Sequence, residues 1–232
     1  MKRPMTLAPW AVVLGLVMLS PALAAGRPSY SATSITTHVV DADTKEPLEE
    51  VIVVADWRLE GAGMEGGTNG QLILLETVTD SFGVFHFDAW GPKKAPIGWL
   101  GDADPDILLF KPGYKFTLAQ NPFRGIPHDM PTGTRSSIYD GKVIEMRRFQ
   151  GDLKDWAMHL EWAKTLIERA TAGHCEWRKI PRLIVALGRE REKLNTAGIG
   201  VGNYYDSLVG SESYYARMGC GSVHEFVQEH SR

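Results

Sequence analysis

The chain has 232 residues, a formal net charge of −3 and two cysteines. A mildly acidic chain does not suggest nucleic acid, which would favour a basic patch, and it suggests no strong attraction to anionic lipid.

The first residues read as a targeting signal. Lys2 and Arg3 give a positive start, and Trp10 to Leu19 is an uncharged, mostly apolar run of ten residues. Pro21-Ala22-Leu23-Ala24 then supplies small residues in an A-x-A arrangement. A bilayer-spanning helix needs about 20 apolar residues, so the run is too short to anchor the chain. Cleavage is expected after Ala24, and residues 1–24 form a signal peptide. A retained N-terminal anchor helix is the alternative. No cysteine follows the apolar run, so lipoprotein-type acylation lacks its acceptor. Removing Lys2 and Arg3 takes the formal charge from −3 to −5. The expected product is periplasmic or secreted, with no stable membrane span.

From Ile35 the pattern changes to short strands separated by turns. Ile35 to Asp41 is a first strand, and Asp43-Thr44-Lys45-Glu46-Pro47 is a turn. Val51 to Trp57 is a second strand, with Val51, Val53, Ala55 and Trp57 on its core face. Gly61 to Gly70 holds five glycines and reads as a loop. Leu72 to Thr79 resumes the strand pattern. Asp80-Ser81-Phe82-Gly83 fits a type I turn, after which Val84 to Trp90 is expected to pair back as a hairpin arm. Phe85, Phe87 and Ala89 form its apolar face. Trp90 to Pro105 and Gln120 to Gly141 read as long loops. Between them lie the strand Asp106 to Phe110, the turn Lys111-Pro112-Gly113-Tyr114 and its continuation Lys115 to Ala119. Lys142 to Phe149 is the last strand.

Three of these segments carry a resemblance. V-V-D-A-D-T-K-E-P-L-E-E-V-I-V-V, T-D-S-F-G-V-F and D-I-L-L-F-K-P-G-Y resemble the carboxypeptidase regulatory-like domain over residues 34–149. The resemblance implies a prealbumin (transthyretin)-like β-sandwich of about seven strands. It also implies a folding, adhesion or recognition module without peptidase residues of its own. The shared residues shape turns and strands, so no functional residue is carried across.

After Gly151 the apolar period becomes helical. Asp152 is the expected N-cap of a helix carrying Leu153, Trp156, Leu160, Ala163, Ile167 and Ala170 on one stripe, with Gly173 as its stop. A second helix is expected over Cys175 to Leu194. Pro181 either starts its regular part or kinks it. Arg189 to Lys193 reads as a solvated face. Asp206 to Ser213 reads as loop, and Ser222 as the cap of a last helix over Val223 to His230. The fold class is therefore α+β: a seven-stranded prealbumin-like sandwich over 34–149, then a helical segment over 152–232, for which no family is recognised.

Several residue groups invite functional readings. Cys175 and Cys220 make one disulfide in an oxidising compartment, closing a loop of about 46 residues worth roughly 4 kcal/mol in chain entropy. His38, His86, His128, His159, His174, His224 and His230 show no metal-ligand spacing and read as scattered surface histidines. Tyr204-Tyr205 and Tyr214-Tyr215 are similar to the tyrosine ligands of intradiol dioxygenases, but the close His pair those enzymes need is missing. Gly198-x-Gly200-x-Gly202 follows no βαβ strand, and Gly210-Ser211-Glu212-Ser213 lacks the closing glycine of a nucleophile elbow. No cofactor, catalytic residue or metal ligand is expected.

Trp90 and Trp99, with Asp102 and Asp104 nearby, are the candidate ligand contacts. The leading expectation is a non-enzymatic exported envelope protein. Its loops 60–71, 91–105 and 120–141 would meet a protein partner. A carbohydrate-binding module with Trp90 and Trp99 as a glycan platform is one alternative. A hydrolase with a cleft between the two halves is the other. The cysteine pairing has a direct check. Thiol labelling of the unfolded, non-reduced protein is expected to find no free cysteine, and two free thiols would refute the bridge.

Overall fold

The computed structural model describes residues 28–61, 70–101, 103–122, 133–171, 175–200 and 202–231. The expected signal segment and Gly173 lie outside these residues, as do His128 and His174. The chain is α+β. Its strands are β1 (Ser29–Ala32), β2 (Ile35–Asp41), β3 (Ile52–Glu60), β4 (Gln71–Val78), β5 (Val84–Phe87) and β6 (Trp90–Lys94). They continue with β7 (Trp99–Leu100), β8 (Asp106–Phe110), β9 (Thr117–Ala119), β10 (Gly133–Arg135) and β11 (Val143–Met146). The helices are α1 (Leu153–Ala170), α2 (Pro181–Thr196), α3 (Tyr204–Gly210), α4 (Glu212–Arg217) and α5 (Val223–His230), with a 3-10 turn at Glu176–Lys179 before α2.

The strands are ordered β4-β3-β8-β9 in one sheet and β11-β2-β5 in a second, with β10-β1-β6 as a third and β7 added to β3. β3 organises the fold. Its residues Ile52 to Leu59 are all buried. Val53, Ala55, Trp57 and Leu59 meet Ile35, Val39, Phe85, Phe87, Ile144 and Met146 of the second sheet in one apolar cluster. Ile52 and Val54, on the opposite face, join Trp156, Leu160, Ile167, Leu183 and Leu187 of the helices in another. Alternation along β3 thus feeds two cores, and each large apolar side chain removed from water contributes roughly 1.5–3 kcal/mol. The residues expected on the core face are there, but the other face is equally dry.

The Asp80–Gly83 turn forms as the sequence predicts. The Asp80 carboxylate accepts the Phe82 and Val84 amides, each at 2.9 Å, and Gly83 N–H donates to the Asp80 carbonyl at 2.9 Å. Gly83 has φ of 70°, and a Cβ on it would stand 2.4 Å from the Val39 carbonyl oxygen, so only glycine fits. The expected hairpin, however, does not form. β5 pairs with β2, Ile35 opposite Phe87 and His38 opposite Val84, rather than with β4. The tight approach of Gly83 to Val39 hands the chain across to the second sheet. Ala89 is exposed, off the expected apolar face.

The two long loops also need correction. Trp90 to Pro105 contains β6 and β7, and Gln120 to Gly141 contains β10. β1, β6 and β10 pair across long stretches of chain, which local composition does not encode.

In the helical half, Asp152 caps α1 in a reciprocal capping box with Asp155. The buried stripe runs from Trp156 to Ala170, but Leu153 is 51% exposed. Pro181 occupies the first turn of α2, where its missing N–H is harmless. Glu190 departs from the solvated reading of 189–193: it is buried, and it accepts the Trp156 indole N–H at 2.9 Å and Lys193 Nζ at 2.5 Å. Residues 206–213 are not a loop but most of α3 and the start of α4. Asn203 and Asp206 form a capping box there, which overrides the Ser/Gly composition. Three helices are expected after residue 152, and the described residues form five. Ser222 caps α5 by accepting the Glu225 amide at 3.2 Å.

Two links fasten the helices. Cys175 and Cys220 form a disulfide, with Cα atoms 5.2 Å apart. Glu76 of β4 accepts the Arg182 and Leu183 amides, each at 2.9 Å, at the start of α2. Ile180, the N-cap residue, supplies no side-chain bond, so a carboxylate from the sheet performs the capping. Glu76→Ala is expected to destabilise the protein by about 1–2 kcal/mol in urea unfolding. A midpoint equal to wild type would show that this cap contributes nothing.

Candidate functional site

The two sheets differ in what covers their outer faces. The outer face of the β4-β3-β8-β9 sheet is closed by the helices. That of the β11-β2-β5 sheet carries no helix of this chain among the described residues. Register places Val143, His38 and Val84 in one row across the three strands. Val143 is 56% exposed, His38 is exposed and Val84 half-buried. Thr36 and His86 make the next row on one side, joined by a 2.8 Å hydrogen bond between Thr36 Oγ1 and His86 Nδ1. Glu145 and Val40 make the row on the other side, with Lys45 Nζ 2.7 Å from Glu145. Phe82, at the tip of the turn leading into β5, is 73% exposed. The face is thus a mixed one, with apolar Val143, Val84 and Phe82 beside imidazoles and an ion pair.

A second grouping lies at the end of β3. Asp56 and Arg58 continue the face of Ile52 and Val54 and are buried with Asp104 and Asp106. Arg58 Nη1 sits 2.9 Å from Asp106 Oδ2 and 4.0 Å from Asp56 Oδ2, while Nη2 is 3.9 Å from Glu60. Gln120 Nε2 donates to Asp106 Oδ1 at 2.6 Å. One guanidinium therefore serves several carboxylates. Burial pushes the Asp104 carboxyl up to about 8, opposed by Arg58 and reinforced by Asp106. Burial also raises Asp56 well above the usual carboxylate range, with Arg58 opposing and Asp104, Asp106 and Glu176 adding repulsion. Among the described residues no group of His, Cys, Asp and Glu is placed to hold a metal ion. Asp56 and Asp104 are both buried; Asp104 Oδ1 accepts the Arg58 amide at 3.5 Å, and both Asp56 oxygens lack a hydrogen-bond partner among the described residues.

The predicted ligand contacts are placed as follows. Trp90 is half-buried, with its ring edge-on to Trp57 at 5.4 Å between centroids. Trp99 is half-buried and lies over Gly61, where a Cβ would stand 1.7 Å from the indole. Both rings pack against the inner core. Asp104 belongs to the buried cluster, and Asp102 lies outside the described residues. Of the three loops expected to meet a partner, residues 62–69, 102 and 123–132 lie outside the description.

The histidines are not uniformly surface groups. His159 is half-buried between Trp156 and Trp162, at 5.5 and 5.9 Å between ring centroids. Its Nε2 accepts the Phe116 amide at 2.8 Å, so that nitrogen carries no proton, and burial lowers its pKa. It pins α1 to the segment before β9. The outer sheet face was hidden from sequence because β11 pairs with β2 in parallel from far along the chain. Asp56 and Arg58 did leave a signal: two charges inside an otherwise apolar strand.

No protein-family model matches this chain, and no curated protein matches it. Among solved structures, a 9R-lipoxygenase from Cyanothece aligns at 16% identity with a TM-score of 0.24. The alignment covers 72% of this chain and 28% of that chain, so the chain spans little more than a quarter of that protein's length. A likeness of that score supports neither a shared fold nor a shared activity. No helix among the described residues is long and apolar enough to cross a membrane.

The buried cluster gives a pH dependence of known sign. Asp104 titrates near 8 in the folded chain against 3.8 for a free aspartate. The folded state thus holds a proton that the unfolded state releases, and stability falls as pH rises from about 4 to about 8. His159 acts oppositely below its ordinary value of 6.5, because the folded state disfavours its charged form. The readout is therefore the difference between wild type and Asp104→Asn. The loss of urea stability between pH 5 and pH 8 is expected to be smaller in the variant. An equal loss in both would contradict the assignment.

Proposed function

We propose that this chain is an exported, non-enzymatic binding module of the cell envelope that holds a protein partner on the outer face of its β11-β2-β5 sheet. The observation that carries the reading is the asymmetry of the two sheets. One is closed by the chain's own helices, and the other presents the Val143–His38–Val84 row with Phe82 at its margin. Antiparallel or mixed sheets can leave one face in water, but exposed Val143 and Phe82 on a face with no covering helix among the described residues favour a contact surface.

The prealbumin-like sandwich is part of the same proposal. It is supported by seven strands, β2, β3, β4, β5, β8, β9 and β11, that form two sheets around one apolar cluster. Export is supported by the basic start and short apolar run of residues 1–24, together with the disulfide between Cys175 and Cys220. Loops 60–71, 91–105 and 120–141, first expected to make the contact, give way here to the sheet face. Trp90 and Trp99 are turned to packing, which weighs against a glycan platform.

A photo-reactive amino acid placed at His38 or Val143, with Glu192 as a control on the exposed side of α2, tests the proposal in the native envelope. The expected result is one cross-linked protein of the same mass from both sheet positions and none from Glu192. No adduct from either sheet position, together with binding to a glycan array, would overturn it.

A further inference from the structure

A cleft of about 450 Å³ opens where the helices meet the sheet, between the Lys111–Pro112 turn, α2 and the end of α5. Its inner wall is apolar: Ile52 and Val78 from the sheet, and Val185 and Ala186 from α2. Its rim is basic. Lys111, Arg182, Arg189 and His230 line it, with Glu50 as the single lining carboxylate. Glu76 lies behind Arg182, accepting its backbone amide, and both Arg182 and His230 act on its charge. Neither Lys111, Arg182 nor Arg189 stands within ion-pair distance of a carboxylate among the described residues. Lys111 instead donates to the Glu49 carbonyl at 2.7 Å, and Arg189 reaches the Ser231 carbonyl at 3.4 Å. His230 donates from Nδ1 to the Phe226 carbonyl at 2.8 Å, which fixes its ring and turns Nε2 to the other side.

Ligand sites are commonly clefts of about 300–1,000 Å³ with apolar walls and a few polar groups that fix orientation. Here cationic groups outnumber the one lining carboxylate, Glu50. Two guanidiniums and an ammonium without carboxylate partners suit a carboxylate, which a guanidinium can grip through two parallel hydrogen bonds. The apolar wall suits a hydrocarbon body attached to it. We propose that this cleft binds a small organic monocarboxylate with an aliphatic tail, its acid group on Arg182, Arg189 and Lys111 and its tail against Ile52, Val78 and Val185. The site is separate from the sheet face proposed for the protein partner, so either assignment can fail without the other.

Two acid probes distinguish the sources of such a group: octanoate for a free aliphatic acid, and acetyl-leucyl-leucine for the C-terminus of an apolar peptide. Binding to the mature, oxidised protein is measured by calorimetry and by chemical-shift changes at Val185 and Val78. At least one acid is expected to bind, and the tighter one names the source. Octanol or the peptide amide, which lack the charge, should bind at least tenfold more weakly. Arg182→Gln/Arg189→Gln should weaken the acid at least tenfold, and Lys111→Gln provides a second variant should that pair unfold. Inorganic phosphate, which lacks the tail, should bind more weakly than the acid. Absence of binding by both acids at millimolar concentration would overturn the proposal. So would equal binding of acid and neutral probe, or affinity unchanged in a folded variant.

Discussion

The structure depends on one strand being dry on both sides. β3 sends Trp57 and its neighbours into the core shared by two sheets, and Ile52 and Val54 into the core shared with the helices. A strand with one wet face would alternate apolar and polar residues, whereas β3 reads as a nearly continuous apolar run. Its two interruptions, Asp56 and Arg58, fall on the helix-facing side near the strand end. There Arg58 pairs with Asp106, which also accepts from Gln120, while both Asp56 carboxylate oxygens lack a hydrogen-bond partner among the described residues. Burying that group is unfavourable unless the pairing is good: burial raises Asp104 and Asp56, Arg58 opposes the shift, and the neighbouring acids add to it.

This constraint also decides where a partner can reach the molecule. Because the helices are needed to cover β3 and its neighbours, that side of the fold is committed to the chain's own packing. Glu76 ties the start of α2 to the sheet, and the disulfide ties the segment before α2 to the segment before α5 within the helical half. Among the described residues, the outer face of the far sheet and the seam at which helices and sheet meet are two places that stay open. The two proposed contacts occupy these two places, and they differ in chemistry. The sheet face is broad and mixed, suited to a protein surface. The seam is narrow and basic, suited to a small acid.

Local chemistry was legible in the sequence, and distant pairing was not. The Asp80–Gly83 turn, the Lys111–Tyr114 turn, the Asp152 cap and the Ser222 cap all rest on hydrogen bonds spanning a few residues, and each forms. By contrast, nothing near Val84 announces that β5 leaves β4 for β2, and nothing near Val143 announces a parallel partner at His38. Glu190 looked solvated because its neighbours alternate in charge, yet the indole of Trp156 waits across the helix pair. His159 looked like one histidine among seven, and its role as an acceptor for a strand amide comes from a contact across the fold. The sites followed the same rule. Trp90 and Trp99 were chosen for type and neighbourhood, and the structure uses both as packing. The open sheet face and the basic seam each assemble residues from distant segments.

By feeding both cores, β3 joins sheet and helices into one cooperative body. Native-state hydrogen exchange of the oxidised protein, followed through increasing denaturant, tests it most directly. The account predicts that amides of β3, α1 and α2 converge on a single opening free energy, equal to that of global unfolding. Helices that open at a distinctly lower free energy while β3 stays protected would contradict it.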